Sequence, residues 1–169
     1  MSTAERSGRP RVRSHPVRGA DEVSDLDKRI IEHLQADGRR PYTQIASELG
    51  VSEAAVRART NRLIERGILQ VVGVTDPLKL GFHQMAMIGI RCESDKLIEV
   101  AEALADMPEV DYVVITAGTY DLLIETVCED NEALLRFLAD RLRSIDGVRE
   151  TETFVYLRLV KQTYQYGTR

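Results

Sequence analysis

Arg57, Arg59 and Arg62 fall within one six-residue stretch. A guanidinium presents its N–H donors in a planar fork, which suits phosphate oxygens and, through two parallel hydrogen bonds, the edge of a guanine. Around them stand Ala54, Ala55, Ala58 and Asn61. Small side chains let a helix approach a groove closely, whereas an ordinary solvated face more often mixes Lys with Glu. No rival chemistry presents itself in the chain. His15, His33 and His83 are scattered, and Cys92 and Cys128 lie in apolar stretches without zinc-site spacing, as buried thiols would. No Ser/His/Asp or Cys/His set and no glycine-rich phosphate loop occurs, and Asp121 with Glu125 reads as a hairpin residue and a strand-face charge. Enzymatic activity, a metal and a cofactor are therefore not expected.

The arginines need a rigid support, and the surrounding pattern supplies one. Ser24 or Asp25 can cap a first helix in which Leu26, Ile30, Ile31 and Leu34 recur at helical spacing until Asp37-Gly38. A second helix opens near Thr43, puts Ile45, Ala46 and Leu49 on one side, and stops at Gly50. Ser52 caps a third, with Val56, Thr60, Leu63 and Ile64 as its apolar stripe and Gly67 at its end. The second and third helices have the spacing of a helix-turn-helix, although a plain helical hairpin in a bundle would show it too. Under the first reading Ser52 opens the DNA-contacting segment. Glu53, Ala54, Ala55, Arg57, Ala58 and Asn61, toward the start of the third helix, reach base edges, while Arg59 and Arg62 suit phosphates, with Arg39, Arg40 and the basic arm available for backbone contacts.

A net charge of −4 does not oppose this, because the charge is uneven. Residues 1–20 hold five arginines against one glutamate, residues 26–73 eight basic against six acidic side chains, and residues 74–169 ten basic against seventeen acidic. Attraction to phosphate is local, being screened over about 8 Å in physiological salt. Residues 1–23, rich in Arg, Ser, Pro and Gly, are expected to form a disordered basic arm, since they lack the apolar side chains that would order them. With 43% hydrophobic and 30% charged residues, and no apolar run near the ~20 that a span needs, the chain is expected to be a soluble cytoplasmic protein with no membrane partner.

Domain organisation follows from the same pass. Residues 24–67 form the helix-turn-helix domain, and residues 68–82 a hinge strand and linker, extended over 68–74 and turning at Asp76-Pro77 and Gly81. Residues 83–161 alternate strand (84–92), helix (95–106), strands (110–117 and 121–128), helix (131–144) and strand (148–160), before a tail at 162–169. That βαββαβ order predicts a ferredoxin-like sheet with both helices on one face, through Leu97, Ile98, Ala101, Leu104 and Ala105 and through Leu134, Leu135, Leu138 and Leu142. Tyr112, Phe154 or Tyr156 would occupy the open face, depending on register, and such a face asks for a partner. The fold class is α+β, with an N-terminal (winged) helix-turn-helix domain ahead of a C-terminal ferredoxin-like βαββαβ domain.

Over about residues 24–161 the sequence resembles the Lrp/AsnC family of transcription regulators. The resemblance rests on Leu26-Asp27 with Ile30 and Leu34, Asp37-Gly38-Arg39, Ile45-Ala46, Leu49-Gly50-Val51-Ser52, Val56, Arg59, Arg62-Leu63 and Gly67-Ile68. It continues through Asp76-Pro77, Leu80-Gly81, Gly118-Thr119-Tyr120-Asp121, Gly147-Val148, Thr151 and Thr153-Phe154-Val155. It implies a regulator of double-stranded DNA that pairs through its open sheet into a homodimer, as family members do before often closing into octamers or related rings, and that responds to an amino-acid-like effector. The same resemblance places the effector at Gly118, Thr119, Tyr120 and Asp121, together with Thr153 and Val155. Backbone amides at the glycine would hold a carboxylate and the aspartate would oppose an ammonium. A tight β-hairpin turn favours the same residue types, and Thr119 stands where many relatives carry Asp, taking a negative charge out of the loop. An effector-independent architectural DNA-binding protein is the alternative.

Overall fold

A computed structural model of the chain describes residues 23–163 and Thr168. The expected basic arm lies outside the described residues apart from Val23, as does most of the expected tail. Two compact units meet in sequence at Val74 and Thr75, the second running to Val160.

The first unit holds three helices: α1 (Asp25–Ala36), α2 (Tyr42–Leu49) and α3 (Glu53–Glu65). Ser24 caps α1 through a reciprocal pair, its Oγ accepting from the Asp27 amide at 3.2 Å and its own amide donating to the Asp27 carboxylate at 3.3 Å. Gly50, at φ 68°, ends α2 in the left-handed region that favours glycine, and Ser52 Oγ accepts from the Ala55 amide to start α3. The short turn this leaves fixes the two helices as a helix-turn-helix. Ile30, Ile31, Leu34, Ile45, Ala46, Val56 and Leu63 form the core.

The sequence reading and the structure differ after α3. Ile64, expected in the apolar stripe, is exposed, and Leu69 from beyond the helix fills the core instead. Residues 68–74 form no strand, so no wing accompanies the helix-turn-helix among the described residues. A strand needs a neighbour to satisfy its backbone groups, and the apolar Val71, Val72 and Val74 stay exposed without one. A short 3₁₀ turn at Pro77–Leu80, capped by Asp76, leads on.

In the second unit β1 (Gln84–Cys92), β2 (Val110–Ile115), β3 (Leu122–Cys128) and β4 (Val148–Val155) make an antiparallel sheet in the order β2-β3-β1-β4. The register sets Ile88 opposite Ile124 on one side and Thr153 on the other. Alternation then turns Ala86, Ile88, Ile90, Leu122 and Ile124 toward α4 (Leu97–Ala105) and α5 (Asn131–Arg136), which cover one face as a ferredoxin-like fold requires.

Three details depart from the simple periodicity. Ile98 and Leu135, expected in the helix stripes, are each 58% exposed, while Val100 and Phe137 are buried. After α5 the chain continues as a π-helix over Phe137–Leu142, whose wider turn lets residues five apart, Phe137 and Leu142, both reach the core. The last strand stops at Val155 rather than near residue 160. Its neighbour β1 begins at Gln84, and the final link is the Tyr156 amide to the Met85 carbonyl at 2.8 Å.

Candidate functional site

The residues nominated for DNA contact do not share one environment. Glu53, Ala54, Arg57, Ala58 and Asn61 line a common shallow depression on the outer side of α3, and Ser52 is exposed at its head. Ala55, one position around, is half-buried. Within the depression Arg57 Nη2 donates to Glu53 Oε1 at 2.5 Å, and its guanidinium lies 5.3 Å from the centre of the Tyr42 ring.

Arg59 and Arg62 turn instead toward α1. Arg59 Nη1 donates to Asp27 Oδ1 at 2.9 Å and to Ser24 Oγ at 3.2 Å, and Arg62 Nη2 donates to Asp27 Oδ2 at 3.2 Å. Asp27 is 1% exposed, so this is a buried carboxylate held by two guanidinium groups and a cap. Both arginines thus brace the two helices in the free protein. Arg40, offered by sequence as a backbone contact, is likewise occupied, pairing with Glu48 at 2.5 Å and meeting His33 Nδ1 at 2.9 Å.

Burial pushes the Asp27 carboxyl up, but the hydrogen bonds from Ser24 and Arg59 and the charge of Arg59 outweigh it and hold the carboxyl below its ordinary value. A carboxyl lowered by folding contributes stability that is complete above the unfolded pKa, near 3.9, and is lost as pH falls through the folded value. Melting temperatures recorded from pH 6 down to pH 2 are expected to fall more steeply for the native chain than for Asp27→Asn across that window. Parallel curves would show that the carboxylate carries no such linkage.

The second nominated site is a turn between β2 and β3. Gly118 is open to solvent, the Thr116 hydroxyl donates to the Tyr120 carbonyl, and the Thr116 amide donates to the Asp121 carbonyl at 2.9 Å. Asp121 Oδ2 accepts from the Cys92 amide at 2.8 Å, which ties the turn to the end of β1. The Tyr120 ring lies over Gly89 on the sheet face away from the helices, edge-on to Phe154 with centroids 6.4 Å apart. Arg91 donates to the Thr119 carbonyl at 3.0 Å and to Glu150 at 3.2 Å, with its guanidinium 5.9 Å from the Tyr120 ring.

Thr153 and Val155 pair with Ile88 and Ala86, whose side chains point to the helix side, so within one chain they are not gathered with Tyr120. Their neighbour Phe154 is the β4 residue that meets it. Tyr112 and Phe154 are 52% and 46% exposed on the open face, and Tyr156 is half-buried beside them. Burial, and then the neighbouring Glu125 carboxylate, push the Tyr156 hydroxyl up to about 12.

Sequence reasoning passed over Asp27, Tyr42, Gly89 and Arg91. The lone carboxylate at helical spacing from Ser24 was the available signal for Asp27, and a glycine inside an apolar strand was that for Gly89. Burial pushes the thiols of Cys92 and Cys128 up, as for inert packing groups, and no cluster of His, Cys, Asp or Glu fit for a metal occurs among the described residues. No helix among them is long and apolar enough to cross a membrane.

Comparison with known proteins matches both units. Residues 23–64 fit the AsnC-type helix-turn-helix domain and residues 85–166 the Lrp/AsnC ligand binding domain. An HTH-type transcriptional regulator of Pyrococcus furiosus is 38% identical over 143 residues, 84% of this chain and 97% of its own length. The regulator LrpA of Pyrococcus horikoshii is 33% identical over 140 residues, 82% of this chain and 99% of its own. Among solved structures, E. coli AsnC superposes with a TM-score of 0.75 at 26% identity, covering 84% of this chain and 97% of that one. A Neisseria meningitidis regulator solved with L-Met gives 0.75 at 23% identity, covering 85% and 95%, a likeness of fold.

Proposed function

Since the chain belongs to the Lrp/AsnC family of helix-turn-helix transcriptional regulators, we propose that it reads a specific operator through the outer face of α3 and that a small amino-acid-like metabolite modulates its occupancy. The observation carrying the first half is the exposed face of Glu53, Ala54, Arg57, Ala58 and Asn61, where small side chains flank hydrogen-bonding ones. Ser52 at the head of α3 and the half-buried Ala55 border it, while Arg59 and Arg62 act first as braces for the helix. The second half rests on the match to a ligand binding domain and on the Gly118, Thr119, Tyr120 and Asp121 turn beside Arg91.

A second copy covers the open sheet face in this proposal, since Tyr112 and Phe154 leave apolar surface there and a two-fold pairing sets two recognition helices on one duplex. Thr153 and Val155 then serve the effector through subunit pairing, and dimers stack further, up to an octamer. The protein works in the cytoplasm, where its DNA is, and acts by binding rather than by catalysis. One observation favours the effector-independent alternative: Asp121, the group that would oppose an ammonium, already accepts from the Cys92 amide.

Fluorescence anisotropy with duplexes from its own promoter region, repeated with each common amino acid and paired with sedimentation velocity, tests both halves. Tight binding that weakens as salt rises, and a several-fold shift in affinity or assembly with at least one amino acid, is the expected result. Affinity and assembly that ignore every amino acid would leave the architectural role, and no salt-dependent binding would remove the DNA reading.

A further inference from the structure

The third helix carries one arginine that is neither free nor spent on the fold. Arg57 is held from two sides, by the Glu53 carboxylate one turn earlier on α3 at 2.5 Å and by the Tyr42 ring at the start of α2, 5.3 Å from the guanidinium. Both neighbours lie within the helix-turn-helix itself, and the arginine still faces the depression lined by Ala54, Ala58 and Asn61.

Resting on the DNA-binding reading above, we propose that Tyr42 and Glu53 are positioning residues that preset Arg57 to read a guanine, with Glu53 also selecting against a base whose edge offers it only acceptors. An unrestrained arginine visits many rotamers and must lose them on binding, whereas one lying over a ring and paired to a carboxylate has given up part of that freedom beforehand. Glu53 uses one of the five N–H donors, which leaves enough for the two bonds that guanine O6 and N7 accept.

Glu53 also makes Arg57 a poor phosphate contact. The guanidinium keeps donors enough for a phosphate, but the paired carboxylate cancels its charge and would itself face the negative strand. In the major groove the same carboxylate has a favourable role, accepting from the N4 amino group of a cytosine while Arg57 donates to guanine. A paired glutamate and arginine one turn apart therefore match G·C, with the acid over the cytosine, and oppose a guanine or thymine edge at the acid's position, where only acceptors are offered.

Selection from a randomised duplex library, followed by salt titrations on the selected site, tests this with the full-length protein. The native chain is expected to select guanine at one position of each half-site, and replacing it there with 7-deazaguanine, which lacks the N7 acceptor, should weaken binding about tenfold. Arg57→Lys keeps the charge but not the fork, so it should lose that preference with its salt slope unchanged. Tyr42 also packs against the core, so Tyr42→Leu is measured well below its melting temperature, where it should reduce the guanine preference several-fold, while Tyr42→Phe restores it. Glu53→Gln should strengthen binding to random duplex and steepen the salt slope by about one unit. If Arg57→Lys and the 7-deazaguanine site behave as the native pair does, or Tyr42→Leu lowers stability while leaving base preference intact, the proposal is overturned although DNA binding stands. A native chain that selects no duplex at all would overturn the DNA reading with it.

Discussion

Arg59→Ala is expected to destabilise the first unit by about 2–4 kcal/mol, and to lower DNA binding at every sequence through that loss. The arginine donates to Asp27 at 2.9 Å and to Ser24 at 3.2 Å, and the carboxylate it holds is almost wholly removed from water. Taking away one partner of a buried ion pair leaves a charge without its compensation, commonly a cost of about 3–5 kcal/mol. Arg62, still within 3.2 Å of Asp27, recovers part of that, which sets the lower bound.

Urea unfolding followed by helical circular dichroism measures this directly, because the first unit is built from helices. A phosphate-contacting arginine would behave differently: its removal would leave the unfolding midpoint in place and flatten the salt dependence of binding by about one unit of log slope. Arg59→Ala with native stability and a flattened slope would return the residue to the role that its position in sequence suggests. Restored stability in the Asp27→Leu and Arg59→Met double variant, where both partners become apolar, would confirm the pairing as the source of the loss.

That example also shows where a single sequence stops being legible. Ser24, Gly50 and Ser52 declare helix starts and stops through local chemistry, so the three helices and their turn were readable. Arg59 and Arg62 were readable as charges but not as partners of Asp27, because Asp27 stands 32 residues before Arg59 and only the fold brings them together. In the second unit β3 is buried at alternate positions, whereas β1 is apolar at almost every position, so its own residues do not say which side faces the helices. Leu134, Phe137, Leu138 and Leu142 keep helical spacing on the core side, and Leu135, one position around from Leu134 within α5, is exposed. Residues 68–74 looked extended by composition, but strand formation depends on a neighbour that local composition does not reveal.

Gly89→Ala is the variant that tests whether the turn at Gly118, Thr119, Tyr120 and Asp121 works as a unit with the open sheet face. A Cβ at position 89 would meet three atoms of the Tyr120 ring at 2.6–2.7 Å, well inside contact distance, so the ring must leave the sheet. Overpacking of this kind costs about 1–3 kcal/mol. Displacement also undoes the edge-on contact with Phe154 and the stacking beneath Arg91, the two contacts that hold the ring beside Thr119. Thermal unfolding should therefore record a loss, and, under the effector and dimer proposal, calorimetry against amino acids and sedimentation velocity should record a weakened ligand response or assembly, while DNA binding by the helix-turn-helix changes less. Adding Tyr120→Ala removes the ring that clashes and should recover stability without recovering the ligand response, which separates packing from function. Native stability and native response in Gly89→Ala would mean that the ring has room to move and that the turn acts independently of β1.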